Sequence, residues 1–203
     1  MNVLALGAHP DDIEFGCGGT LIHYTEKHHR VFAMILTRGE HGGDPQVRER
    51  EQIDSANILQ VEDVFFGGYT DTELLPTRNL IIDIERTVKR VNPDLILVNH
   101  FEDTHQDHRN LAQAAISATR HIKNVLFYET VTSQNFIPNL FVDIESVLSK
   151  KLASLEAHTS QITKNVEGLS ILDIARSTAN FRGIQGKVKF AEGFHSARFF
   201  ITI

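Results

Sequence analysis

The sequence predicts an open, doubly wound α/β fold: a mainly parallel, Rossmann-like sheet with helices on both faces. Three observations lead there. Short apolar runs rich in leucine and β-branched residues alternate with helix-period segments along the first two thirds of the chain. The runs are continuous rather than alternating, as in strands buried on both faces. The 203 residues also hold no repeat, low-complexity stretch or linker to divide them, so 1–203 is expected to form a single domain.

NVLALGA (2–8) is the first strand, and IEFGCGGTLIHYTEKHH is the helix after it. VFAMILT (31–37) is the second strand. PQVREREQIDSANIL is helical, with Val47, Ile53, Ala56 and Ile58 as its apolar or small positions. DVFFGGY is the third strand, and LIIDIERTVKRV (80–91) is a helix ended by NPD. LILVN (95–99) is the fourth strand, with HRNLAQAAISATRH as its helix. VLFYET and LFVDI are later strands, and 145–182 reads as mainly helical. In such a sheet, ligands bind past the carboxyl ends of the strands, where the strand order reverses. A Rossmann-like order puts that point between strands one and four, so chemistry is sought in AHPDD and HFEDTHQDH.

Composition narrows the function. A formal net charge of -6 argues against a nucleic-acid partner, which a basic surplus or stripe would mark. No apolar run approaches the ~18 residues of a membrane span. The N-terminus shows no basic region ahead of an apolar core, so no signal peptide is expected. Cys17 is the single cysteine, which excludes an internal disulfide and a thiolate metal cage. A cytoplasmic location is expected.

GAHPDD (7–12) sets two aspartates side by side, an arrangement that repels itself unless positive charge is close. His9 and Asp12 from the first loop, with His105 and His108 from the second, offer donors for a borderline metal ion. Catalytic zinc takes three protein ligands and keeps one position open. Capping offers a plainer account: Asp11 or Asp12 could cap the helix beginning near Ile13, and Thr104 with Asp107 has capping-box spacing. His105 and His108, three apart, share a helix face. Two histidine–aspartate clusters, each behind a strand that flanks the crevice, favour the metal. GCGGT (16–20) lacks the lysine of a P-loop, and GAHPDD is not a dinucleotide fingerprint. Those glycines are expected to let the helix approach its neighbours closely, with Cys17 as a small buried residue.

GAHPDDIEFGCGGTL followed by THQDH resembles the PIG-L/LmbE family of zinc-dependent N-acetylsugar deacetylases. TRGEHGG and REREQIDSANIL carry the likeness on, more loosely, toward the end of the chain. The resemblance implies a Rossmann-like fold, an N-acetylglucosamine-type sugar or glycoside as substrate, and Zn2+ as cofactor. Fe2+ also suits two imidazoles and one carboxylate. By the same resemblance His9, Asp12 and His108 are the metal ligands, Asp11 is the general base, and His105 stabilises the oxyanion. Asp107 would orient and charge His105, outweighing the helix start that disfavours a cation there. Arg48 would contact substrate, although its spacing to Glu51 equally suits a surface ion pair.

Family members are often multimeric, so a homo-oligomer is an open expectation. Glu40 and His41 would touch substrate or face solvent, and His100 ends strand four near the site. His195 is expected at the surface. His23, His28, His29, His121 and His158 are expected to be solvated or packing residues. Ester or phosphoester hydrolysis on the same site, and nucleotide binding without catalysis, are the competing readings.

Overall fold

The computed structural model describes residues 1–163 and 168–200. In chain order its main elements are β1 (Asn2–Gly7), α1 (Asp12–Glu26), β2 (Arg30–Thr37), α2 (Pro45–Leu59), β3 (Asp63–Tyr69), α3 (Arg78–Val91), β4 (Leu95–Asn99), α4 (Gln106–Ala118), β5 (Val125–Tyr128), β6 (Leu140–Asp143), α5 (Leu148–Glu156), α6 (Ile171–Gly186) and β7 (Ala191–Arg198). The sheet order is β3-β2-β1-β4-β5-β7-β6. Neighbours from β3 through β5 pair in parallel, while β7 runs antiparallel to both β5 and β6. The mainly parallel, doubly wound fold is therefore present, and β1 and β4 are the neighbours at which the order reverses.

Two-residue periodicity sorts each strand between two cores. Val3 and Ala5 of β1 join the cluster that includes Leu21, Leu59 and Leu155 from α1, α2 and α5. Leu4 and Leu6 join the opposite one, with Leu80 and Ile84 of α3 and Leu111 of α4. Covering both faces explains why these runs are apolar throughout.

Two sequence expectations are corrected. The expected strands include no counterpart of β7, because Glu192, Gly193 and His195 break its apolar run. Its place is set by pairing with two neighbours and by Glu192, which accepts hydrogen bonds from the Gly19 and Thr20 backbone amides at 2.8 and 2.7 Å. In α2 the burial departs from the apolar pattern, although Ala56 and Leu59 are buried. Val47, Ile53 and Ile58 are exposed, whereas Arg48, Glu51, Gln52 and Ser55 are buried. The expected helical stretch 145–182 holds α5 and most of α6, and its residues 164–167 lie outside the described residues. Among the described residues, no helix is long and apolar enough to cross a membrane.

The glycines of α1 do serve close approach. A Cβ on Gly16 would lie 2.1 Å from Cδ2 of Tyr128. Tyr128 cannot easily retreat: it is fully buried, and its hydroxyl donates to Leu6 O at 2.7 Å and Asn99 Oδ1 at 3.1 Å. Gly16→Ala is expected to cost about 3 kcal/mol, the upper range for overpacking, and to lower Tm by roughly 6–12 °C. An unchanged thermal unfolding curve would show that α1 can lift off the sheet.

Candidate metal centre

The loop leaving β1 is tied down before it reaches its charged residues. Ala8 N donates to Asn99 Oδ1 at 3.1 Å, across the point where strand order reverses. Ala8 O accepts from both Thr37 N and Thr37 Oγ1 at 2.9 Å. Arg48 Nη2 donates to Pro10 O at 2.8 Å, and Asp11 N donates to Gln52 Oε1 at 3.3 Å. Asp11 itself has φ 88°, a left-handed conformation uncommon for a residue with a side chain. Such strain persists where the surroundings over-determine it, and it gathers at functional sites.

Capping does not account for the aspartates. Asp11 occupies the N-cap position of α1, yet its carboxylate makes no capping hydrogen bond. Asp12 Oδ2 accepts from His9 N at 2.9 Å and Asn99 Nδ2 at 3.2 Å. These bonds leave Asp12 Oδ1 facing His108 Nε2 at 3.2 Å. On α4 the cap is His105 rather than Thr104: its Nδ1 accepts from Asp107 N at 3.3 Å. The His105 ring stacks on His108 with centroids 4.8 Å apart, so the shared face is present.

His9 Nδ1, His108 Nε2 and the Asp12 carboxylate converge. His9 Nδ1 lies 3.2 Å from His108 Nε2 and 3.6 Å from Asp12 Oδ2. Donor atoms around a tetrahedral zinc, at ~2.1 Å from the ion, stand about 3.4 Å from one another. The two imidazole nitrogens have about that separation, while Asp12 turns Oδ2 toward His9 and Oδ1 toward His108. His105 is also placed so that it, His9 and His108 offer donor atoms within 4.8 Å of one another.

The far nitrogens of the two imidazoles meet carboxylates, as metal-ligating histidines usually require. His9 Nε2 lies 3.1 Å from both Asp107 Oδ2 and Asp71 Oδ1. His108 Nδ1 lies 3.1 Å from Asp103 Oδ2. Each carboxylate is itself held. Asp107 accepts from Thr72 N and Leu74 N at 2.8 and 3.2 Å. Asp103 accepts from His105 N, Thr130 Oγ1 and Ser133 Oγ at 2.8–3.0 Å. Asp71 Oδ2 accepts from His41 N at 3.0 Å, and Asp71 N donates to Glu40 Oε1 at 2.9 Å.

Electrostatics follow from this packing. Burial opposes charge on His108, but Asp12 and Asp103 outweigh it and push its pKa up to about 9 without a metal. His9 is raised in the same way, its burial overcome by Asp107, Asp12 and Asp71. Burial works against ionised Asp12, yet the two histidines hold it well below the usual carboxylate range. Burial raises Asp11 to about 6 against the pull of Arg48. For His105 the expected outcome is reversed. Burial and the charges of His9 and His108 lower its pKa, and Asp107 does not make up the difference. The reason is geometric: both Asp107 oxygens are engaged by Thr72, Leu74 and His9.

The expected site residues gather around one cavity of about 340 Å³, bordered by His9, Asp11, Asp12, Arg48, His105 and His108. Asp107 sits behind His9. Arg48 is buried and does not form the surface pair with Glu51. Its Nη1 donates to Gly39 O at 2.8 Å and its Nη2 to Asp11 Oδ2 at 3.1 Å. Gly39 is required there, since it has φ 62° and a Cβ would fall 1.9 Å from Arg48 Nη1. His41 borders the cavity, whereas Glu40 serves the Asp71 backbone. His100 lies elsewhere, its ring centroid 4.3 Å from Phe101 and 4.9 Å from Phe136, with the half-buried His195 at 5.9 Å. Asp71 and Asp103 do not stand out in the sequence, and His158, expected to be a solvated or packing residue, is buried and borders the cavity. The need of metal-ligating imidazoles for outer carboxylates is a signal by which the first two could be sought.

The chain is similar to known proteins over most of its length. Residues 4–119 match the family model described as PIG-L, GlcNAc-PI de-N-acetylase. The uncharacterized deacetylase YaiS of Escherichia coli (strain K12) is 34% identical over 78% of this chain and 90% of its own. The diacetylchitobiose deacetylase of Thermococcus kodakarensis is 30% identical, covering 94% of this chain and 81% of that one. The solved structure of N,N'-diacetylchitobiose deacetylase from Pyrococcus horikoshii, bound to an inhibitor, superposes with a TM-score of 0.85 at 25% identity. It covers 96% of this chain and 83% of its own.

Proposed function

The chain belongs to the PIG-L family, and from that premise we propose that it is a metal-dependent amide hydrolase acting on an N-acetylglucosamine-type sugar or glycoside. The observation that carries this reading is a three-donor set of His9, Asp12 and His108 beside a half-buried carboxylate, Asp11, that is left out of the set. A bound Zn2+ or Fe2+ would lower the pKa of water to roughly 7 and polarise the acetamide carbonyl.

The remaining work falls to side chains. Asp11 accepts the proton of the attacking water and passes it to the amine nitrogen as the C–N bond breaks, giving acetate and a free amine. Burial, which without a metal raises its pKa to about 6, keeps it a better proton acceptor than an ordinary exposed carboxylate. Arg48 fixes Asp11 through Oδ2 and Pro10 O, so we assign it to positioning the base, with its cavity-facing edge available to substrate. His105 is neutral near pH 7, and its Nδ1 accepts a backbone amide. The ring proton is therefore on Nε2, a donor for the developing oxyanion. Asp107, Asp71 and Asp103 hold the two ligand imidazoles in orientation.

The test is acetate release by protein loaded with zinc or iron(II), over a panel of N-acetylglucosamine glycosides, with acetyl esters and phosphoesters as controls. Metal-dependent release from the N-acetyl sugars is the expected result. Turnover confined to the esters or phosphoesters would overturn the assignment.

A further inference from the structure

We propose that His158, backed by Glu14, is a substrate-binding residue whose imidazole hydrogen-bonds a hydroxyl of the sugar; this rests on the deacetylase reading above. His158 precedes a short 3-10 turn, Thr159–Gln161, and is fully buried, yet it borders the cavity that holds His9, Asp12 and His108. Neither of its ring nitrogens has a hydrogen-bond partner among the described residues, and the same is true of Glu14 Oε2. Buried polar groups without partners are rare and costly, so the two ring nitrogens of a residue on the cavity wall, with Glu14 close to one of them, point to a ligand that supplies a partner.

The positions of these groups are enforced rather than incidental. Glu14 Oε1 accepts from Gln52 Nε2 and Ser55 Oγ at 2.7 and 2.8 Å, which leaves Oε2 turned to His158 Nε2 at 3.6 Å. That gap is too long for a direct hydrogen bond. Glu51 fastens the turn from the other side, accepting from Thr159 Oγ1, Ser160 N and Ser160 Oγ at 2.7–2.8 Å. The buried polar face of α2 thus holds Asp11 through Arg48 and the His158 turn through Glu51. Phe15, Leu155 and Ile171 border the same cavity. A ring with an apolar C–H surface and hydroxyls that both donate and accept matches this combination of apolar wall and unmet nitrogens.

The experiment compares wild type, His158→Phe and His158→Gln on methyl N-acetylglucosaminide and on analogues that each lack one hydroxyl. Wild type should lose about tenfold in kcat/KM on one analogue, the cost of one hydrogen bond to a buried partner. His158→Phe should lose about as much on the parent sugar and become indifferent to that hydroxyl, with unchanged metal content. His158→Gln, which keeps a donor and an acceptor, should recover part of the discrimination. Equal analogue penalties in wild type and both variants would overturn the His158 assignment alone. No acetate from any analogue with wild type would overturn the deacetylase reading, and this inference with it.

Discussion

Asp11→Asn should lower kcat by about 10²–10⁴-fold while leaving metal content unchanged, the loss expected when a general base is removed from an otherwise intact site. Shape is preserved because Asn is nearly isosteric with Asp, and the φ of 88° at this position is better tolerated by Asn than by most residues. What disappears is the capacity to take a proton. Arg48 keeps its bonds to Gly39 O and Pro10 O and can still donate to the Asn oxygen.

The pH profile gives an independent reading. A base must be ionised to act, so activity should fall as pH drops through the pKa of Asp11. That value is about 6 without a metal and lower beside a cation. Wild-type kcat/KM should therefore show an acid limb at or below pH ~6 that Asp11→Asn lacks. A variant that keeps kcat within a few-fold of wild type would remove Asp11 from the mechanism.

Legibility of the fold and the site in the sequence followed how local each signal was. β1 and β4 are readable because both faces are buried, so every residue from Val3 to Leu6 and from Leu95 to Val98 is apolar. His9, Asp12 and His108 are readable because two short motifs carry them, one behind each of those strands. α2 misleads: hydrophobic periodicity assumes that the apolar side faces inward. Here Arg48, Glu51, Gln52 and Ser55 are turned inward to build the site, and Val47, Ile53 and Ile58 are left outside. β7 is hidden because its pairing depends on two partners distant in sequence. Asp71, Asp103 and His158 are single residues in connecting segments, and only tertiary contact gives them a role.

His108→Gln should abolish metal-dependent stabilisation and lower activity by more than about a hundredfold, the upper range for merely disturbing an outer partner of a metal ligand. In wild type, zinc in hundredfold excess over its Kd should add about 2.7 kcal/mol to folding stability, read as a rise in Tm. The variant should show no such rise. The pH dependence separates a lost ligand from general damage to the fold. Without metal, His108 has a folded pKa of about 9, above its unfolded value of 6.5. Its interaction with Asp12 and Asp103 is therefore fully stabilising below pH 6.5 and is lost as pH rises through 9, a swing of up to about 3 kcal/mol. Metal binding runs the other way, because the imidazoles must be deprotonated to ligate. The zinc-induced rise in Tm should consequently grow across that interval in wild type. His108→Gln should abolish the zinc response and reduce the slope of metal-free stability against pH, leaving the part that His9 contributes. A variant that still responds to zinc, with the wild-type slope against pH, would mean that the cation is held by other donors, with His105 and His9 the first to test.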